Sequence, residues 1–214
     1  MEQKTKKAQE KNHFLDPSPE VQLRLAHLIS EVANPIFVAP PIFFAIAVRT
    51  APDIQHALLW WMITVVGISA APLLFILRGV RLGHLSDHHV SIREQRIVPL
   101  LFALGCVICV FIILLLLHAS YPLLAAMTAV LITGIIGTVI TRYWKISFHL
   151  VGMAGAVTVL WILFGLLAAL LTPTVLLVAW ARWRVGAHTP LQALAGTVLA
   201  VSVAIGTCWL FGIR

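Results

Sequence analysis

Two arginines, a histidine and a primary amide fall close together in the run Ala181-Arg-Trp-Arg-Val-Gly-Ala-His-Thr-Pro-Leu-Gln192. No acidic residue interrupts it, so Arg182 and Arg184 have no counter-charge nearby in the sequence. The run joins two long apolar stretches, and guanidiniums at the end of a membrane span call for an anionic partner. Arginine presents planar, often bidentate donors that match phosphate oxygens. A histidine beside them is a candidate nucleophile toward phosphorus. The segment therefore suits a bound phosphate attacked by His188, with the remaining donors supplied from elsewhere in the chain.

Two other polar segments can supply them. Arg78 to Arg96 carries Asp87, His88, His89, Arg93 and Arg96, and Arg142 to His149 carries Lys145, Ser147 and His149. The combined set is rich in cations and poor in carboxylates. Hard divalent cations want several carboxylate oxygens, and zinc wants His and Cys ligands without crowding arginines, so neither a metal nor another cofactor is expected. Two histidines can divide the work, one as nucleophile and one as general acid.

These segments must be positioned by the apolar remainder. The chain has 214 residues, 60% hydrophobic and 11% charged, whereas a soluble domain is roughly a quarter charged. No Asp, Glu, Lys or Arg occurs from Ile97 to Thr141 or from Ile146 to Ala181. Such runs, without strand alternation, read as membrane-spanning helices, which satisfy their own backbone hydrogen bonds. The fold class expected is an all-α, polytopic transmembrane helix bundle in a cell membrane. The formal net charge of +7 points to anionic membrane lipids and not to nucleic acid, because aromatic and basic residues do not interleave. Cys106 and Cys109 lie inside an apolar run and are expected to be packing residues without a disulfide role.

Two regions organise the chain. Residues 1–31 comprise a Lys-rich polar tail and a short amphipathic helix, with Val21, Leu25, Leu28 and Ile29 at helical spacing, expected on the membrane surface. Residues 32–214 form the transmembrane domain. About six to seven spans are expected, near 33–50, 56–77, 98–118, 122–141, 150–170, 174–186 and 189–211. Pro35, Pro40 and Pro41 should kink the first or make it partly re-entrant. A turn is expected at Thr172-Pro173. Two helices separate each polar segment from the next, so all three emerge on one face.

The residues on that face resemble a known pattern. Arg182-x5-His188, with Gly186 between and Gly196 downstream, resembles the third signature of the PAP2 superfamily, the type 2 phosphatidic acid phosphatases and related vanadium haloperoxidases. Ile146-Ser-Phe-His149 is similar to its second signature, Pro-Ser-Gly-His, and Arg96 with Pro99 to a diverged first signature. The resemblance covers roughly residues 80–200. It implies a phosphatase in which His188 forms a phosphohistidine and His149 protonates the leaving oxygen. Arg182, Arg96 and Ser147 would hold the phosphate, with backbone N–H groups near Phe148 assisting. The implied substrate is a lipid phosphate, either a phosphatidic acid or an isoprenoid diphosphate.

The pattern also departs from that family. Gln192 stands where the family carries an aspartate behind the nucleophile: it can orient the ring through its amide oxygen but adds no charge. His89 occupies the family's lysine position, and Arg93, one turn before Arg96, is the candidate replacement cation. Phe148 replaces a glycine, which predicts a less intimate backbone approach. Asp87 is expected to pair with Arg93 or Arg96 and order its loop. These departures keep a second function open, a catalytically silent lipid-phosphate-binding protein. Oligomeric state is not specified. For sidedness, the positive-inside rule favours the cytoplasm and the resemblance favours the outer face.

Overall fold

The computed structural model describes residues 19–88, 90 and 92–213. The expected polar tail, 1–18, and His89 lie outside the described residues. Every regular element among the described residues is helical. Helix α1 spans Pro19–Val32, α2 Pro35–Thr50 and α3 Ile54–Val65. A π-helical turn, Val66–Ala70, leads into α4, Ala71–Arg81. A 3-10 turn at Arg93–Gln95 precedes α5, Ile97–Leu116. Then come α6 Tyr121–Tyr143, α7 Phe148–Phe164, α8 Leu166–Ala169, α9 Thr172–Arg184 and α10 Pro190–Leu210.

Five stretches are long and apolar enough to cross a bilayer: Ile54–Arg81, Ile97–Leu116, Tyr121–Tyr143, Leu166–Arg184 and Pro190–Leu210. The bent pair α1 and α2 makes a sixth if counted as one span, and α7 is a shorter apolar helix. Apolar side chains such as Leu74, Leu116, Leu176 and Trp209 face outward, which a lipid surround accommodates and water does not. Buried hydroxyls within the helices are satisfied locally. Thr64, Thr133, Thr141 and Thr158 each donate to the carbonyl four residues earlier.

Three boundaries differ from the sequence expectation, each for a local reason. The bend in the first apolar stretch lies between α1 and α2, with an angle of 51°, and not at Pro40 or Pro41. A residue before proline is driven out of the α region, so Pro35 holds Asn34 extended at φ −61° and ψ 130°. The Asn34 side chain then caps α2 by accepting from the Ile36 N–H. Helix α2 runs from Pro35, beside the polar face, to Thr50, whose hydroxyl meets that of Ser120 at 2.7 Å in the turn between α5 and α6. Finally, the fifth span ends at Phe164, not near 170, because Gly165 adopts φ 71°, a conformation glycine reaches without a Cβ clash. Pro173 begins α9 without making that turn, since proline is tolerated in a first helical turn.

The π-helical turn has a comparable origin. Pro72 lacks an N–H and would clash with the carbonyl one turn back, which a wider turn relieves. At that turn Gly67 lets α5 approach closely: a Cβ there would fall 2.0 Å from Val110 Cγ2. The core of the bundle, around Ile46, Leu114, Leu123 and Met127, fills the half opposite the polar segments.

Helix α1 also departs from a free surface element. Its outward stripe of Val21, Leu25, Leu28 and Val32 is exposed, while Ala26 and Ser30 are buried. Ile29 and Ala33 pack with Val178 of α9 and Leu150 of α7. At its exposed end, Arg184 donates to the Gln22 amide oxygen at 2.9 Å.

Candidate active site

The three polar segments converge. Arg96, Phe148, His149, Arg182 and His188 line one end of a cavity of about 370 Å³, joined there by His88 and Val90. Arg182, His188, His149 and Ser147 are all buried, with 7%, 6%, 9% and 0% of their surfaces exposed.

His188 sits in the turn between α9 and α10. Gly186, at φ 68°, closes α9 and reverses the chain. Thr189 and Gln192 then form a capping box at the start of α10. In that box the Gln192 side-chain oxygen accepts from the Thr189 N–H at 3.1 Å. The same oxygen lies 3.2 Å from His188 Nδ1. An atom accepting a backbone N–H must be the oxygen of the amide, so His188 Nδ1 carries the hydrogen. The Nε2 lone pair is left for bonding elsewhere. Gln192 thus fixes the histidine tautomer without a charge.

The electrostatics keep that lone pair available. Burial, then the positive charges of Arg182, Arg96 and Lys145, push the His188 pKa down to about 3. In the phosphate-free protein, ring NMR should therefore show His188 titrating near pH 3 and not near 6.5. Adding a phosphate dianion, which offsets the three cations, should move that titration upward. The link to folding has a definite sign. Between these values the unfolded chain binds a proton that the folded chain refuses, so this group's contribution is intact above pH 6.5 and is lost as pH falls toward 3.

Ser147 and His149 flank the start of α7. Ser147 is the N-cap residue, yet its side chain makes no capping hydrogen bond. Its hydroxyl is fully buried and unpartnered, as is the Nε of Arg182, a residue that lines the cavity. The first N–H groups of a helix lack intrahelical acceptors and face an anion favourably. A buried polar group without a partner is costly.

The Phe148 ring lines the cavity and packs over Gly137 of α6, where an added Cβ would come within 2.9 Å of the ring. On the other side, Gly196 of α10 lets the 144–147 segment come close: an added Cβ would fall 2.8 Å from the Ser147 carbonyl oxygen. Backbone cannot swing aside as a flexible side chain does. Gly196→Ala should therefore displace Ser147 and lower phosphate affinity about tenfold, comparable to losing one charge-assisted hydrogen bond. Calorimetric titration with vanadate, a phosphate mimic, checks this.

Arg96 is held by its loop, its Nε donating to the Val90 carbonyl at 2.8 Å. Burial lowers its pKa and the nearby Asp87 carboxylate opposes that shift. Asp87 also accepts the Ser86 hydroxyl at 3.0 Å. Arg93 opens the 3-10 turn that delivers Arg96 to α5. Lys145 is near enough for Arg96 and Arg182 to depress its pKa, after burial. Arg184 points away from the cavity, toward α1.

Two participants carry no signal in the sequence. Ser30 of α1 reaches the centre of the cluster: its hydroxyl accepts from Arg182, and its carbonyl lies 3.1 Å from His149 Nε2. Glu31, next to it, is close enough to Arg182 to stabilise its charge and lies 4.0 Å from His88 Nε2. The run around Arg182 holds no carboxylate, and this one comes from a helix some 150 residues away in the chain. Among the described residues, no three His, Cys, Asp or Glu side chains group as metal ligands would.

Away from the polar end, the cavity is apolar. Its lining extends from Arg96 to Val107 along α5 and from Phe148 to Val159 along α7, with Ile42 and Ile46 of α2 and Val130 of α6. Eleven residues of helix make this depth about 16 Å, roughly half the hydrocarbon thickness of a bilayer. Fold and composition define the class: an all-helical protein with several helices able to span a membrane. Comparison of the chain with models of known protein families, with curated proteins and with solved structures returns no match.

Proposed function

We propose that this protein is a phosphatase of lipid phosphates in a cell membrane, of PAP2 type, working through a phosphohistidine. The observation that carries the proposal is the unpartnered buried Nε of Arg182 at the end of an apolar cavity that Arg182 lines together with Arg96, His149 and His188. A phosphate fills the first need. An acyl or prenyl chain fits the second, which a free sugar phosphate would leave wet and unfilled.

In this scheme His188 Nε2 attacks phosphorus while the bond from phosphorus to the lipid oxygen breaks. His149 gives its proton to the departing oxygen. Arg182, Arg96, Ser147 and the first N–H groups of α7 hold the phosphoryl oxygens where charge accumulates. Water then attacks the phosphohistidine, the N–P bond breaks, and His149, now neutral, takes the water's proton. Inorganic phosphate leaves and both histidines return to their starting states. No cofactor takes part, and Gln192 serves as the orienting partner where an aspartate would be expected in the family.

The test is purified protein in detergent, supplied with phosphatidic acid or an isoprenoid diphosphate. Phosphate release that disappears in His188→Ala supports the proposal. Headgroup binding without release from either substrate would instead favour the silent binding protein, which the uncharged Gln192 makes the natural rival.

A further inference from the structure

Helix α1 ends inside the site, and the reason is local. Because Pro35 holds Asn34 extended, the Asn34 N–H turns back to the Glu31 carbonyl at 3.1 Å, while the Ala33 N–H takes the Ile29 carbonyl. The Ser30 carbonyl between them is passed over, one of the orphan acceptors of a helix C-terminus. His149 Nε2 occupies it at 3.1 Å. A carbonyl can only accept, so this nitrogen carries the hydrogen. The Ser30 hydroxyl meanwhile accepts from Arg182 NH1. Ser30 is itself buried, 5% exposed, and holds one nitrogen of the guanidinium while Nε stays unpartnered.

We propose that Ser30 is a positioning residue of the phosphate site, acting through Arg182 by its hydroxyl and through His149 by its carbonyl. The assignment rests on the phosphate site proposed above. The hydroxyl pins NH1 so that the Nε edge of the guanidinium is presented to the phosphate. The carbonyl keeps a hydrogen on His149 Nε2, so the proton that the charged ring gives to the leaving oxygen, and takes back from water, is the one on Nδ1. Substrate contact is not required of Ser30 for either effect. The helix that carries it is anchored on both sides, by Arg184 to Gln22 and by Ile29 and Ala33 in the apolar contact with α7 and α9.

Vanadate binding measured by calorimetry on the full-length protein decides the matter, alongside phosphate release from phosphatidic acid. Ser30→Ala is expected to weaken vanadate binding about 10- to 100-fold, the effect of one hydrogen bond to a charged group. Ser30→Thr, which keeps the hydroxyl, is expected to restore most of the affinity. The effect must also pass through Arg182, so Ser30→Ala in an Arg182→Ala background is expected to change binding less than about twofold, the non-additivity of coupled residues. Unchanged binding in Ser30→Ala overturns the assignment. So do losses that add fully to those of Arg182→Ala and accompany a lower melting temperature, the mark of a merely structural serine. Vanadate binding by a wild type that releases no phosphate from lipid removes the phosphatase activity and leaves the Ser30 assignment to stand on its own binding result. A wild type that binds no vanadate overturns both.

Discussion

His188→Ala is expected to reduce phosphate release from a lipid phosphate by at least about a thousandfold, the scale for losing a nucleophile that works as a unit with its partners. The fold should persist. His188 lies in the turn between α9 and α10, and its ring accepts no backbone group that would be stranded by its removal. Its hydrogen bond is to Gln192 Oε1, which keeps the Thr189 N–H as a donor. Alanine also removes a group that the folded protein cannot protonate near neutral pH, so resistance to mild acid should be equal or better. Single-turnover assays with labelled substrate give the second reading. Wild-type protein quenched in base should retain an alkali-stable phosphoryl group, and the alanine variant none. Phosphate release that survives in His188→Ala would rule out the proposed nucleophile.

Arg182→Leu is expected to separate function from stability. Arg182 is buried at 7% exposure, its Nε has no partner, and it lies with Arg96 and Lys145 in a cluster of like charges. Removing one transition-state donor from such a site typically costs 100- to 1,000-fold in kcat, and loss of about that size is expected here, with vanadate affinity falling in parallel. Stability should hold or rise, because a buried charge of this kind is retained at an energetic cost that an apolar side chain of similar volume avoids. Arg182→Lys should not rescue: an ammonium cannot hold Ser30 and offer a second planar donor edge at once. Kinetics and thermal melts on the same preparations decide the point. A leucine variant that melts well below wild type while retaining activity would contradict the account of this residue as functional.

These two residues could be found in the same way. His188 and Arg182 share one local run, with Gly186 and Pro190 to shape it, and a turn between helices keeps sequence neighbours as spatial neighbours. Ser147 and His149 were legible for a similar reason, since they begin the first apolar helix after a polar break. Their union was legible from parity, because helices that cross a slab must return their connecting segments to the same face. The uncharged orienting role of Gln192 was also accessible, although the capping box that fixes its oxygen shows only in three dimensions.

Hydropathy therefore carried the helical class and the course of most of the long apolar helices, five or six where six to seven spans were expected: long uncharged runs have few alternatives to helices in an apolar solvent. Tertiary structure alone decided the rest. Ser30 and Glu31 reach Arg182 because α1 folds back over α9, a docking set by Ala26, Ile29 and Ala33 against surfaces over a hundred residues distant. The break that frees the Ser30 carbonyl is local, as Pro35 announces, but what fills that carbonyl is not. The apolar cavity is likewise a gap left between α2, α5, α6 and α7, and no single helix encodes it. A periodic sequence specifies which face of a helix is apolar; whether that face meets lipid, another helix or a substrate chain depends on how the faces of several helices are assembled.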